Sequence, residues 1–397
     1  MQLRIGAPAT GENFHPRPEL HAKLLRALER GNVAFLGPRR TGKTSCLEWI
    51  RANPGEFVPV LLNLEKHDTV EAWLGAMLDS LREALGHPKG WVARCGDKAA
   101  SVLAKVQKIE VPTVGKVELQ PGATPGWRKP ADEFLKLLAN ADAPILFLLD
   151  EFPTFLKLVA RKRSRDEVEA VLNWFRAARH ELKDRQVRFL VTGSIGMKGV
   201  VRSLGLAPAV NEFDTHEIPP LTDSEALVML ATLAQDNSIP LKGRGQRKIL
   251  KLLGANWPIL LQLFVSEIQE GNFKKPPTDV ELERIYRDRL VNGSRNQYCE
   301  GMFDRLKDAF GESERRLARE ILKKVCRAAD GCSRSEFDAL HAHLEPELSR
   351  HAAGIEELDH VLDTLKHDGY LLQATTGDQL TRFGSHILRD FWLRKTA

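Results

Sequence analysis

The chain has 397 residues, 43% hydrophobic, 28% charged and 7% aromatic, which fits a globular protein of about two to three domains and excludes a disordered or fibrous polymer. A formal net charge of +5 is compatible with nucleic acid without requiring it. Five cysteines, Cys46, Cys95, Cys299, Cys326 and Cys332, are odd in number and lack C-x-x-C spacing, which argues against a disulfide framework or a zinc site and for a reducing compartment.

The opening segment MQLRIGAPATGENFHP lacks the apolar centre of a signal peptide. No run of about 18 apolar residues occurs, so a cytoplasmic protein with no membrane partner is expected. Short apolar runs at 33–37 (VAFLG), 58–64 (VPVLLNL), 145–149 (ILFLL) and 187–193 (VRFLVTG) alternate with segments of helical period. That pattern predicts buried parallel strands in an α/β sheet covered on both faces, with ligands beyond the carboxyl ends of the strands. Residues 108–122 (KIEVPTVGKVELQPG) are expected to form an inserted hairpin.

The strand and helix alternation stops near Phe213. A helical region follows to about residue 295, opened by Thr222-Asp223-Ser224-Glu225, in which Thr222 or Ser224 is the cap. Beyond about residue 298 come a long amphipathic helix (312–328), a shorter one opened by Ser333 or Ser335, and a third (355–368). The turn-like Thr375-Thr376-Gly377-Asp378 then separates two short extended segments. Three helices and a small hairpin suggest a winged helix, and a small helical bundle with a terminal hairpin gives the same pattern.

The first strand runs into Gly37-Pro38-Arg39-Arg40-Thr41-Gly42-Lys43-Thr44, which matches G-x-x-x-x-G-K-[ST] between a strand and a helix. Its glycines let successive backbone N–H groups converge on phosphate oxygens at a helix N-terminus. Lys43 then reaches the β and γ phosphates, and Thr44 serves Mg²⁺. The third strand ends in Asp150-Glu151. A carboxylate pair at a buried strand end suits a cation and a water, with Asp150 assigned to the Mg²⁺ shell and Glu151 to polarising the attacking water. The next strand ends in Val191-Thr192-Gly193-Ser194, where Thr192 or Ser194 is placed to bond the γ-phosphate or the water, or Ser194 to cap the following helix.

These boxes (GPRRTGKTS, which adds Ser45; LLDEFP; VTGS; and the terminal FGSHILRDFW) resemble the archaeal-type ATPases of the STAND branch of AAA+-like P-loop ATPases. Phe14-His15-Pro16-Arg17-Pro18-Glu19-Leu20 is similar to that family's amino-terminal Gly-Arg-Glu element near the base, with Pro16 for the glycine and Pro18 inserted. Gly254-Ala255-Asn256-Trp257-Pro258 resembles its Gly-x-Pro element in the lid, which assigns Pro258 to the base. The resemblance implies an ATPase core (1–215), a helical lid (216–297) and a winged-helix domain (298–397), acting as a slow ATP-hydrolysing switch that changes conformation or oligomeric state. Adenine over guanine rests on the same resemblance, and no Asn-Lys-x-Asp element occurs.

Many AAA+ relatives complete the site with an arginine from a neighbouring subunit, and archaeal-type proteins often carry one after the sensor-strand helix. This chain has Gly205-Leu206-Ala207-Pro208-Ala209 there. Arg202, Arg176 and Arg179 lie nearby and read as solvated or ion-paired.

Two further partners are open at this stage, a protein and duplex DNA. Lys157–Arg165 (KLVARKRSR) is a basic segment that, as a loop, would contact phosphates, although Asp166 and Glu167 follow at once. The third helix, with Glu356, Glu357, Asp359, Asp363 and Asp368 against Lys366 alone, would be repelled by a phosphate backbone. In the first of the three helices (312–328), Arg315, Arg316, Arg319, Lys323, Lys324 and Arg327 are interleaved with Glu312, Glu314 and Glu320.

Overall fold

Strands with apolar side chains on both faces must be covered on both, and the described part of the chain satisfies this with one parallel sheet. The computed structural model describes residues 1–86, 126–141, 143–194, 197–203, 212–293, 297–346, 349, 351–373 and 380–396. The chain divides into two compact units. A sheet unit comprises Arg17–Leu36 and Lys43–Glu217, and a helical unit comprises Met1–Pro16, Gly37–Gly42 and Ile218–Ala397.

In the sheet unit, β1 (Val33–Leu36), β2 (Val58–Asn63), β3 (Ile145–Asp150), β4 (Val187–Gly193) and β5 (Asp214–Glu217) lie in the order β2-β3-β4-β1-β5, all parallel. Every residue of β1 and β3 is buried. Register places Phe147 of β3 beside Phe189 of β4, and their rings stack at 5.3 Å. Trp73, Phe152, Phe155 and Phe175 pack with them as tilted and edge-on pairs, the geometry aromatic rings favour.

The apolar runs predict four of these strands, and β5 differs from them. Its sequence, Asp-Thr-His-Glu, buries only His216. It is an edge strand held by register pairing to β1, so it carries none of the two-sided hydropathy of a central strand. The expected hairpin at 108–122 lies outside the described residues.

The helical unit has its own core, in which Trp392 packs against Phe303, Tyr370 and Phe383. Three of its helices open with reciprocal capping boxes: Thr222 with Glu225, Thr278 with Glu281, and Ser333 with Glu336. Where the sequence leaves two cap choices, Thr222 and Ser333 take the role over Ser224 and Ser335. Helices Glu312–Arg327, Arg334–Leu344 and Ala352–His367 precede the antiparallel pair β6 (Leu371–Gln373) and β7 (Thr381–Phe383). The turn at Thr375-Thr376-Gly377-Asp378 lies outside the described residues. No helix among the described residues is long and apolar enough to cross a membrane.

Candidate functional site

The phosphate-loop motif leaves β1 at Leu36 and enters helix Lys43–Ala52. Within it, Gly37, Arg40 and Gly42 take positive φ values of 149°, 63° and 98°, which curl the backbone within a few residues. A Cβ at Gly37 would lie 2.4 Å from the Ile218 Cγ2 atom, so that position excludes any side chain. Arg40 adopts the left-handed region with a full side chain, a strain of about 1–2 kcal/mol. Thr41 Oγ1 donates to the Pro38 carbonyl at 2.7 Å and ties the curl together. Thr41, Lys43 and Ser45 are buried, whereas Arg39 and Arg40 are exposed.

In the sheet unit, β3 delivers Asp150 to the carboxyl edge, opposite Asn63 of β2 and one step beyond the Leu149–Val191 pairing with β4. Asp150 is 2% exposed, a burial that a carboxylate tolerates only with hydrogen-bond donors. Among the described residues it has two: Thr44 Oγ1 donates to Oδ2 at 2.6 Å, and Thr192 Oγ1 donates to Oδ1. Glu151 follows in the left-handed region (φ 59°, ψ 38°), at the N-cap of helix Phe152–Lys162. Its Oε2 accepts from Ser194 Oγ and Thr154 Oγ1, each at 3.0 Å, and from the Ser194 N–H at 3.4 Å. The Glu151 N–H donates to Thr192 Oγ1 at 3.4 Å.

Thr44, Asp150, Glu151 and Ser194, chosen from three separate sequence boxes, therefore share one hydrogen-bonded network. Thr192, weighed with Ser194 as a partner for phosphate or water, donates to the Asp150 carboxylate and accepts from the Glu151 backbone N–H. Thr154 is a participant that sequence reasoning did not single out. Its only signal is a hydroxyl three residues after Glu151. The oxygen pair formed by Thr44 and Asp150 fits a hard divalent cation that keeps part of its water shell, as Mg²⁺ does. No group of three or more His, Cys, Asp or Glu side chains that could hold a metal ion occurs among the described residues.

The sequence matches no protein-family model and no curated protein. Among solved structures, a Walker-type ATPase of Pyrococcus abyssi is similar with a TM-score of 0.59 and 15% identity, covering 98% of this chain and 99% of that one. The sheet unit has the α/β P-loop fold. The ORC2 protein of Aeropyrum pernix, in ADPNP and ADP complexes, is 14% identical with a TM-score of 0.47, covering 97% of each chain. The RuvB branch-migration motor of Thermotoga maritima is 13% identical with a TM-score of 0.41, covering 95% of this chain and 94% of that one.

Pro258 occupies the first turn of helix Pro258–Glu270, a position where proline loses no hydrogen bond. It follows Asn256, whose side chain donates to the Leu221 carbonyl at 3.2 Å and to Asp223 at 2.7 Å.

The basic segment Lys157–Arg165 corrects its sequence reading. It is not a loop, because Arg161 and Lys162 form the last turn of helix Phe152–Lys162, and Ser164 caps the next helix. Lys162 pairs with Asp68 at 2.6 Å and Arg163 approaches Glu71 at 4.0 Å. Cations at a helix C-terminus are favoured by the exposed carbonyl dipoles, which accounts for the cluster without a phosphate partner.

Arg176 and Arg179 both engage Glu212, at 2.6 and 3.6 Å. Arg179 is buried with its guanidinium over Phe175 and Phe213, and burial lowers its pKa to about 10, so it stays charged near neutrality. Gly205–Ala209 and the Arg202 side chain lie outside the described residues. In the helical unit, Glu357 accepts from Ser313 Oγ at 3.0 Å and lies 3.4 Å from His341, while Asp359 pairs with Arg334. Part of the acidity of helix Ala352–His367 is thus answered by neighbouring helices.

Arg17 of the amino-terminal box is buried, and His21, one turn later, stacks on Trp49 at 3.9 Å. Burial, with the Arg17 charge nearby, lowers the His21 pKa from 6.5 to about 4. The unfolded chain therefore binds a proton below pH 6.5 that the folded chain refuses, and stability falls as pH drops from 6.5 towards 4. On moving from pH 7 to pH 5, the unaltered chain is expected to lose about 2 kcal/mol more than a His21→Gln chain in urea unfolding. Equal losses would refute a neutral His21.

Proposed function

We propose that this protein is a Mg²⁺-dependent ATPase of the archaeal-type STAND group, in which ATP binding and slow hydrolysis drive a conformational or oligomeric switch. The observation that carries the reading is the network of Asp150, Thr192, Glu151 and Ser194 with Thr44, the last residue of a complete G-x-x-x-x-G-K-[ST] sequence motif. A metal ion at Thr44 and Asp150 would neutralise charge on the phosphates. The backbone N–H groups of the curl at Gly37–Gly42, with Lys43, Thr44 and Ser45, hold the phosphate chain. Glu151 accepts a proton from the attacking water, and Ser194 fixes the direction from which it does so.

The three-part organisation belongs to the same proposal: an ATPase core (1–215), a lid (216–297) in which Pro258 packs near the base, and a winged-helix domain (298–397). Its partner is a second copy of the chain or another protein. The ion pairs of Lys162 and Arg163 and the acidic helix Ala352–His367 weigh against duplex DNA.

Light scattering of the full chain, alone, with a non-hydrolysable ATP analogue, and with the analogue plus a short DNA duplex, tests this. A change in mass or shape with the analogue alone, unaffected by DNA, is expected. Assembly that occurs only when DNA is present would replace the proposal with a DNA-associated regulator.

A further inference from the structure

Resting on that reading, we infer that Thr154 is a positioning residue for Glu151, holding its carboxylate in the orientation from which it acts on water. A glutamate at a strand end has three side-chain torsions, and fixing them costs up to about 2 kcal/mol of rotamer entropy. Here the left-handed backbone at Glu151 sets the direction in which the side chain leaves the end of β3. Two hydroxyls from different elements then restrain its torsions. Ser194 reaches Oε2 from the end of the neighbouring strand β4, and Thr154 reaches the same oxygen from the first turn of helix Phe152–Lys162.

The other oxygen, Oε1, accepts no hydrogen bond from the described residues. The carboxylate is thereby split into an anchored oxygen and an available one. A single anchor would let the group swing about the remaining contact, whereas two donors on one atom from different directions stop that swing. Preorganisation of this kind raises the rate of the chemical step without adding to ground-state binding. The left-handed residue has a cost of about 1–2 kcal/mol, and the anchored carboxylate gives that strain a use.

Thr154→Val keeps the shape and removes only the donor. It is expected to lower kcat of ATP hydrolysis by about 5- to 10-fold, leave the affinity for a non-hydrolysable ATP analogue unchanged, and be largely restored in Thr154→Ser. In a Glu151→Gln background the same change should have no further effect on the residual rate. A nucleotide-free measurement reads the contact itself: Thr154→Val should lower the urea midpoint in the Glu151 chain and lower it less in a Glu151→Ala chain. An unchanged or raised kcat, equal losses in both backgrounds, or equal shifts of the midpoint would overturn the assignment. If Glu151→Gln abolishes turnover while Thr154→Val leaves kcat unchanged, only this inference fails. No turnover in the unaltered chain overturns the ATPase reading and this one together.

Discussion

Lys43→Ala is expected to abolish ATP binding while leaving the chain folded. The lysine begins helix Lys43–Ala52, whose buried face is made by Cys46, Leu47 and Ile50. Those contacts do not involve the ammonium group, and alanine is at least as good a helix former, so the helix has no reason to unwind. What disappears is the motif's buried ammonium group, whereas its other cations, Arg39 and Arg40, are exposed. A charge-assisted bond to phosphate is worth about 1.5–3 kcal/mol, and on the proposed reading the lysine serves two phosphates, so affinity should fall by about 10²-fold or more. Titration with a fluorescent ATP analogue, alongside a thermal melt, checks both halves. Retained affinity would sink the assignment of Gly37–Ser45 as the phosphate site, and a lost melting transition would make Lys43 a structural residue.

Much of the sheet was legible in the sequence because its central strands are buried on both faces. Runs such as ILFLLD and VRFLVTG have no polar alternation and so read as strands within a residue of their ends. β5 escaped because an edge strand with three exposed residues looks like a polar turn. The helix starts at Thr222 and Ser333 were visible as a hydroxyl followed three residues later by glutamate, a signal local enough to need no tertiary knowledge. The basic segment was misread for the opposite reason: charge density suggests a solvated loop, but the apolar positions Phe155, Leu156 and Val159 keep the helix going to Lys162.

The same distinction applies to the candidate site. Each box is local and was found by its spacing, but the bonds between boxes depend on strand register and on one backbone torsion. That Thr192 would support Asp150 follows from β3 and β4 being neighbours, which no spacing in the chain states. That Thr154 would meet Glu151 follows from the positive φ at Glu151, an unusual choice for a non-glycine residue. Hydroxyl side chains are common at helix starts, so Thr154 carried no signal of its own.

The second large effect is expected from Glu151→Gln, which should reduce ATP turnover by about 10²-fold or more while analogue affinity stays within about 3-fold. The change is nearly isosteric. The amide oxygen can still accept from Ser194 and Thr154, so the network that orients the side chain survives while the negative charge and the capacity to take a proton are lost. Asp150, with Thr44 and Thr192 on its two oxygens, is untouched. Binding and chemistry are therefore separated by a single substitution, and rapid-quench turnover with a parallel binding titration measures each. Unaltered turnover would leave Glu151 as a strained, hydrogen-bonded helix cap and the protein as a module that holds ATP and barely hydrolyses it. Loss of binding together with turnover would mean that the carboxylate stabilises the phosphate site itself, and the division of labour between Asp150 and Glu151 would have to be redrawn.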